Sequence, residues 1–208
     1  MDESLQRLGT DYVDILLLHD IEFGSYHQVI EEGLPALQHL KEQGKIRYYG
    51  VSGLPLTIFD KVLNVSDLDV VLSYCHYSLN DTSLLSRLPL LEDKKVGLIN
   101  ASPLSMGLLS SRELASWHPA SDEIKKVCKQ AAQYCESQGE DLAKLAIQFS
   151  TANPSIPTTL VSTASSHNIL KNLKWMEEPI NQELLKEVLQ ILEPIHNKTW
   201  ASGTEEWK

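Results

Sequence analysis

Apolar and polar positions along the chain follow two alternating rhythms. In "YVDILLLHDIEF" (residues 12–23), Val13, Ile15, Leu16, Leu17 and Leu18 read as a buried apolar strand that stops on His19 and Asp20. The next stretch, "HQVIEEGLPALQHLKEQGK", places Ile30, Leu34, Leu37 and Leu40 at helical spacing, with Gly44 after the last periodic residue as a stop. The same exchange then repeats. "IRYYGVSGL" is a strand and "PLTIFDKVLNV" a short helix opened by Pro55; "LDVVLSYCHYSL" is a strand and "SLLSRLPLLEDKK" a helix; "VGLINASPL" is again a strand. An irregular stretch around Trp117, His118 and Pro119 leads to a helical region from Asp122 to about Ala152, broken near "ESQGED". "TTLVST" is the last strand, followed by the helices "HNILKNLKWMEE" and "NQELLKEVLQILEPI".

Strands that each lead into a helix argue for parallel pairing with covering helices, so the class is α/β. Right-handed crossovers of this kind build either an open doubly wound sheet or part of a barrel. No G-x-G-x-x-G follows any strand, which removes support for a Gly-rich dinucleotide turn. In a barrel, chemistry collects at the C-terminal strand ends. Here those ends are His19 and Asp20, Ser52 and Gly53, His76 and Tyr77, Ser102 and Pro103, and Ser162 and Thr163. All are finished by polar residues, as a ligand-facing rim would be.

Composition narrows the partners. The 208 residues carry a net charge of -10, against a nucleic-acid backbone as partner. No apolar run reaches the roughly 18 residues of a membrane span. The first residues, "MDESLQRLGTD", are polar and helical, without the apolar core of a signal peptide, so a single cytoplasmic domain over residues 1–208 is expected. Cys75, Cys128 and Cys135 cannot all pair with one another and show no C-x-x-C spacing; free thiols and no metal site are expected.

Several longer motifs in order, "SLQRLGTDYVDILLLHD", "LKEQGKIRYYGVSGL", "LSYCHYSLND", "INASPLSMGLL", "WHPAS" and "NKTW", resemble the aldo-keto reductase superfamily, and within it the L-galactose dehydrogenase branch. The resemblance runs over essentially the whole chain. It implies a (β/α)8 TIM-barrel type fold, of which this chain holds the C-terminal part, about strands 4 to 8 with their helices. It also implies a nicotinamide cofactor, NAD or NADP, bound without a Gly-rich turn, and a small carbonyl or sugar substrate.

The resemblance also assigns residues. His19 matches the histidine beside the substrate carbonyl, where a neutral imidazole donates a hydrogen bond to the oxygen and orients it for hydride transfer. Ser52 matches the serine of a Ser-Asn pair that holds the cofactor carboxamide, with Gly53 in place of the Asn, and Tyr74 stands where relatives often have Gln. Ser102, Pro103 and Leu104 match the segment lining the pyrophosphate. Ala101 precedes them where many relatives carry an aromatic. Near the last strand, Ser162 replaces a Gly, Ser165 stands at or beside an Arg that pairs with a 2'-phosphate, and Asn168 and Asn172 are polar. A neutral residue in place of that cation favours NAD over NADP. Trp200 belongs to the C-terminal loop that shapes the substrate pocket.

Of the family's catalytic aspartate, tyrosine, lysine and histidine, only the histidine has a match. The chain is expected to lack the N-terminal βα units, roughly 100 residues. Two functions follow as expectations: an NAD(P)-dependent oxidoreductase, or a non-catalytic cofactor-binding or interaction protein that retains part of the rim.

Overall fold

A computed structural model describes residues 1–207. The elements are α1 (Asp2–Leu8), β1 (Val13–Leu18), α2 (Tyr26–Gln28), α3 (Leu34–Glu42), β2 (Ile46–Gly53), α4 (Thr57–Leu63), β3 (Val70–Tyr74), α5 (Leu88–Asp93), β4 (Gly97–Ala101), α6 (Asp122–Ser137), α7 (Leu142–Ala152), β5 (Thr159–Leu160), α8 (Ser166–Glu177) and α9 (Gln182–Leu192). The strands are hydrogen-bonded in the order β1-β2-β3-β4-β5, and the β1–β2, β2–β3 and β4–β5 pairs are parallel. A doubly wound sheet reverses its strand order at a switch point. This one does not, and the unbroken sequential order is that of a (β/α)8 barrel segment.

The chain divides into two compact units. The first holds residues up to Ser73, the segment Pro89–Leu98 and the residues from Ser202 on; the second holds Tyr74–Leu88 and Ile99–Ala201.

In the first unit, Val51, Leu54, Ile58, Phe59, Val62 and Leu63 form an almost water-free layer between β2 and α4. Each such side chain contributes about 1.5–3 kcal/mol of transfer free energy. Gly50 belongs to the ladder itself: a Cβ there would run into the Val70 carbonyl oxygen across the β2–β3 pair. The expected helix after β1 is interrupted by a π-helical turn, Val29–Gly33. Pro35 has no N–H for the carbonyl four residues back, and the extra residue in the turn brings Val29 and Leu34, five apart, to the same buried face. Contrary to expectation, β1 is not a buried strand: Ile15 is 43% exposed, because among the described residues β1 pairs with β2 alone.

In the second unit the core is helical. Ile124, Cys128, Ala131 and Cys135 of α6 pack with Leu142 and Leu145 of α7 and Leu184, Val188 and Leu192 of α9. The α6–α7 break falls where expected. Gly139 takes the left-handed φ of 74° that few other residues adopt cheaply, and Asp141 caps α7 by accepting from Ala143 N–H at 2.9 Å. The last strand is shorter than "TTLVST". It pairs Thr159 and Leu160 with Asn100 and Ala101, and Ser102 then turns away at φ 55°, leaving Val161 onward without a ladder partner.

Candidate active site

In the first unit β1 delivers His19. Leu18 pairs with Val51, so His19 is the first residue beyond the ladder, level with Ser52 on the neighbouring strand. Asp20 takes a left-handed φ of 54°, which an aspartate tolerates better than a branched residue. Its Oδ1 lies 2.8 Å from His19 Nδ1. A carboxylate oxygen accepts, so a ring hydrogen sits on Nδ1. The ring is 69% exposed, and His19 and Asp20 help to line an open cavity of about 490 Å³ with Gln28, Val29, Glu32 and Gly33. Ser52, by contrast, is fully buried, and its Oγ has no hydrogen-bond partner among the described residues. A Cβ on Gly53 would run into the Glu22 carboxylate and Ile58; that collision accounts for a glycine where the resemblance puts an asparagine.

In the second unit, Tyr74 closes β3 half-buried, followed by Cys75 at φ 64°. Burial pushes the Cys75 thiol up to about 12, with the Ser102 hydroxyl pulling the other way. Cys128 is likewise raised to about 12 and Cys135 to about 11, so these free cysteines are inert as nucleophiles. After β4, Ser102, Ser105, Met106 and Gly107 all have positive φ, with Pro103 buried and Leu104 half-buried between them. Within this turn the Ser105 and Gly107 N–H groups are taken by the Ser102 and Leu104 carbonyls, at 2.8 and 2.9 Å. Ser105 is fully buried; its Oγ sits near enough to the Cys75 thiol to pull that thiol's pKa down, but makes no hydrogen bond of good geometry among the described residues.

Beside that turn in register, Ser162 is exposed, and Ser165 caps α8 by accepting from Asn168 N–H at 3.4 Å. Asn168 Nδ2 donates to Thr163 Oγ1 at 3.4 Å, and Asn172 is half-buried on the same helix. Lys171 donates to Asp141 Oδ2 at 3.2 Å, and its Nζ lies 4.4 Å from the Trp175 ring centroid. Trp200 meets His118 edge to face at 5.1 Å. Trp200 therefore packs on a buried imidazole: His118 Nδ1 accepts from Ala120 N–H at 3.1 Å, Nε2 reaches the Ser105 carbonyl at 3.4 Å, and burial holds its pKa below the usual histidine value.

Three groups escaped the sequence reading. Glu22 lies inside "HDIEFGS", where a charged residue in a loop reads as solvated, yet it is fully buried. Ser105 adjoins the predicted segment, but only its backbone conformation reveals it. His76, Asp81 and Ser83 form a buried cluster in which His76 Nδ1 is 3.3 Å from Asp81 Oδ2 and 3.0 Å from Ser83 Oγ. Both partners share one ring nitrogen, whereas a nucleophilic triad needs them on opposite nitrogens, so this cluster is structural.

Two tyrosines have their surroundings fixed by the fold. Tyr49, beside Lys41, is raised, mainly by burial and then by Asp69, and Tyr77 Oη is occupied by Asn153 Nδ2 at 2.8 Å. No helix among them is long and apolar enough to cross a membrane.

Comparison with known proteins agrees with this geometry. The description of the Aldo/keto reductase family matches residues 1–193. An L-galactose dehydrogenase of Arabidopsis thaliana is 50% identical over 98% of this chain and 66% of its own length. A D-arabinose 1-dehydrogenase of Saccharomyces cerevisiae is 39% identical over 70% of this chain and 46% of its own length. An aldo-keto reductase of Bacillus halodurans, solved in its holo form, superposes with a TM-score of 0.73 at 25% identity, covering 100% of this chain and 66% of that one. The chain thus spans less than two thirds of the length of these relatives. A sequential parallel sheet, a histidine at the end of its first strand and a family match over nearly every residue lead to one statement: this chain belongs to the aldo/keto reductase family.

Proposed function

We propose that this chain carries the substrate-orienting histidine and the cofactor-binding strand ends of an NAD(P)-dependent oxidoreductase that oxidises the anomeric hydroxyl of an aldose such as L-galactose, in the cytoplasm. The observation that carries this reading is His19 at the rim with its Nδ1–H held by Asp20. With Nδ1–H held there, Nε2 is the nitrogen turned to the substrate oxygen, accepting from a hydroxyl when it carries no hydrogen and donating to a carbonyl when it does. The relatives named for oxidising sugars support the substrate class.

The residues present fit a nicotinamide dinucleotide. The buried, unpartnered Ser52 Oγ suits an amide group, and Ser105 Oγ in the turn after β4 suits a phosphate oxygen. Ser165, Asn168 and Asn172 supply neutral polar groups at the start of α8. When bound, the cofactor accepts the hydride removed from the sugar carbon. NAD is preferred, because no arginine stands near Ser165 in the sequence and Lys171 is engaged by Asp141 and Trp175.

Because the family's catalytic aspartate, tyrosine and lysine have no match in these 208 residues, the residues by themselves are expected to bind NAD without appreciable turnover. The test is NAD reduction with L-galactose by the protein as it occurs in its source. Sugar-dependent reduction that is lost on His19→Ala supports the proposal; its absence across aldoses refutes it.

A further inference from the structure

The turn after β1 is held from within by one carboxylate. Glu22 is fully buried, which is rare for an acidic side chain. Its Oε1 accepts from Leu54 N–H at 2.9 Å, just past the end of β2, and from Ser202 Oγ–H at 3.1 Å. Its backbone carbonyl accepts from Thr204 N–H at 2.9 Å. Two glycines stand against it: a Cβ on Gly53 would strike the carboxylate, and one on Gly203 would lie 2.6 Å from Glu22 Cβ.

The C-terminal strap continues along the same turn. Trp207, 1% exposed, donates its indole N–H to the Gly24 carbonyl at 2.9 Å and meets the Tyr26 ring edge to face at 5.1 Å. Tyr26 N–H donates to Glu206 Oε2 at 2.8 Å. The strap's hydrogen bonds to the turn therefore land on Glu22, Gly24 and Tyr26, within seven residues of His19. The turn also carries short backbone bonds, Phe23 N–H to the Asp20 carbonyl at 3.1 Å and Gly24 N–H to the Ile21 carbonyl at 3.0 Å. Those set its curvature and do not attach it to the end of β2.

We infer that Glu22 is a positioning residue for His19: its buried carboxylate locks the turn to the end of β2 and to the strap from Ser202 to Trp207, so that the chain's C-terminus sets where the imidazole stands. The catalytic meaning rests on the reading of His19 given above; the coupling itself does not. Oε1 of this carboxylate takes both side-chain donors, while Oε2 has no hydrogen-bond partner among the described residues; removing the side chain frees Leu54 N–H and Ser202 Oγ together and leaves the Thr204 bond to the backbone carbonyl in place.

Histidine ring resonances of the 208-residue chain, recorded by NMR for the wild type, Glu22→Ala, Glu22→Gln and Ser202→Ala, test this, with His76 and His118 of the other unit as references. Glu22→Ala is expected to shift or broaden the His19 signals and to speed proteolytic loss of the strap about tenfold. Ser202→Ala does the same to a smaller extent, and Glu22→Gln restores most of the wild-type spectrum because its amide oxygen accepts the same two bonds. His76 and His118 stay in place. Release of the strap with unmoved His19 signals makes Glu22 a structural anchor only and overturns the inference. Should Glu22→Ala collapse the His118 signal too, Ser202→Ala, which removes one bond, decides between the same two outcomes. A His19→Ala enzyme that oxidises sugar as well as wild type would defeat the hydride-transfer reading while leaving the coupling intact, so the two failures are separable.

Discussion

The turns after β1 and β4 bend by the same means and end in different states. Each leaves its strand through a left-handed residue, Asp20 or Ser102, and passes into a 3-10 turn. The first is covered by the chain's own groups: Glu22 Oε1 takes two donors and the strap lies over it, with Oε2 alone left without a partner among the described residues. The second holds itself with backbone bonds alone, Ser105 N–H to the Ser102 carbonyl at 2.8 Å and Gly107 N–H to the Leu104 carbonyl at 2.9 Å, and keeps a buried hydroxyl unpartnered. A filled turn holds a side chain in place, here His19. An unfilled one gains stability when a ligand supplies the missing partner.

The largest expected effect lies in the scaffold beneath the first turn. Gly50→Ala forces a Cβ into the Val70 carbonyl oxygen, a backbone atom that cannot step aside, and should cost upward of about 3 kcal/mol in urea unfolding or prevent folding outright. A Gly50→Ala chain as stable as wild type would show that the β2–β3 approach is wrong. Next, Glu22→Ala strands the buried Leu54 N–H and should cost about 2–3 kcal/mol, with Glu22→Gln losing about 1 kcal/mol or less. Equal losses in the two variants would mean that the charge, and not the accepted bonds, matters.

A smaller effect concerns pH. Burial pushes the Asp81 carboxyl up, but the His76 hydrogen bond and charge and the Ser83 bonds outweigh it, so its pKa lies below the model-peptide 3.8. A carboxylate lowered on folding adds stability that is fully present above 3.8 and is lost as pH falls through the folded value. Asp81→Asn should flatten the acid limb of the stability profile below about pH 4 and leave its slope near neutrality unchanged.

Ser105→Ala separates the two turns most sharply. Removing an orphaned hydroxyl should leave stability unchanged or raise it by up to about 1 kcal/mol, while NAD affinity falls about tenfold. The smallest effect is expected from Lys171→Ala, which should alter the NAD to NADP affinity ratio less than about twofold, since its ammonium is committed to Asp141 and Trp175. A larger change would assign that lysine to the 2'-phosphate after all.

Much of this was legible in the amino-acid order. Short apolar runs followed by 3.6-residue periodicity located the strands and most helices, Gly139 and Asp141 marked the α6–α7 break, and the motif "LLLHD" put His19 at a strand end. The choice between barrel and doubly wound sheet was not legible in the βα rhythm, which both share; the family resemblance pointed to the barrel, and the sequential strand order agrees. Nor was the burial of Glu22. A carboxylate in a turn is ordinarily solvated, and here its partners, Leu54 and Ser202, lie 32 and 180 residues away. The π-helical turn is local, but its cause, Pro35 set against the facing positions Val29 and Leu34, becomes readable only when the buried face is known. Ser105 stayed hidden because left-handed φ at serine has no compositional signature.

The most direct measurement is a calorimetric titration of NAD into the 208-residue chain and its Ser52→Ala and Ser105→Ala variants. Saturable binding, weakened about tenfold by either substitution with NADP bound more weakly than NAD, is the predicted result. No saturable binding, or binding indifferent to both hydroxyls, would contradict the claim that these buried, unpartnered groups mark a nicotinamide cofactor's place.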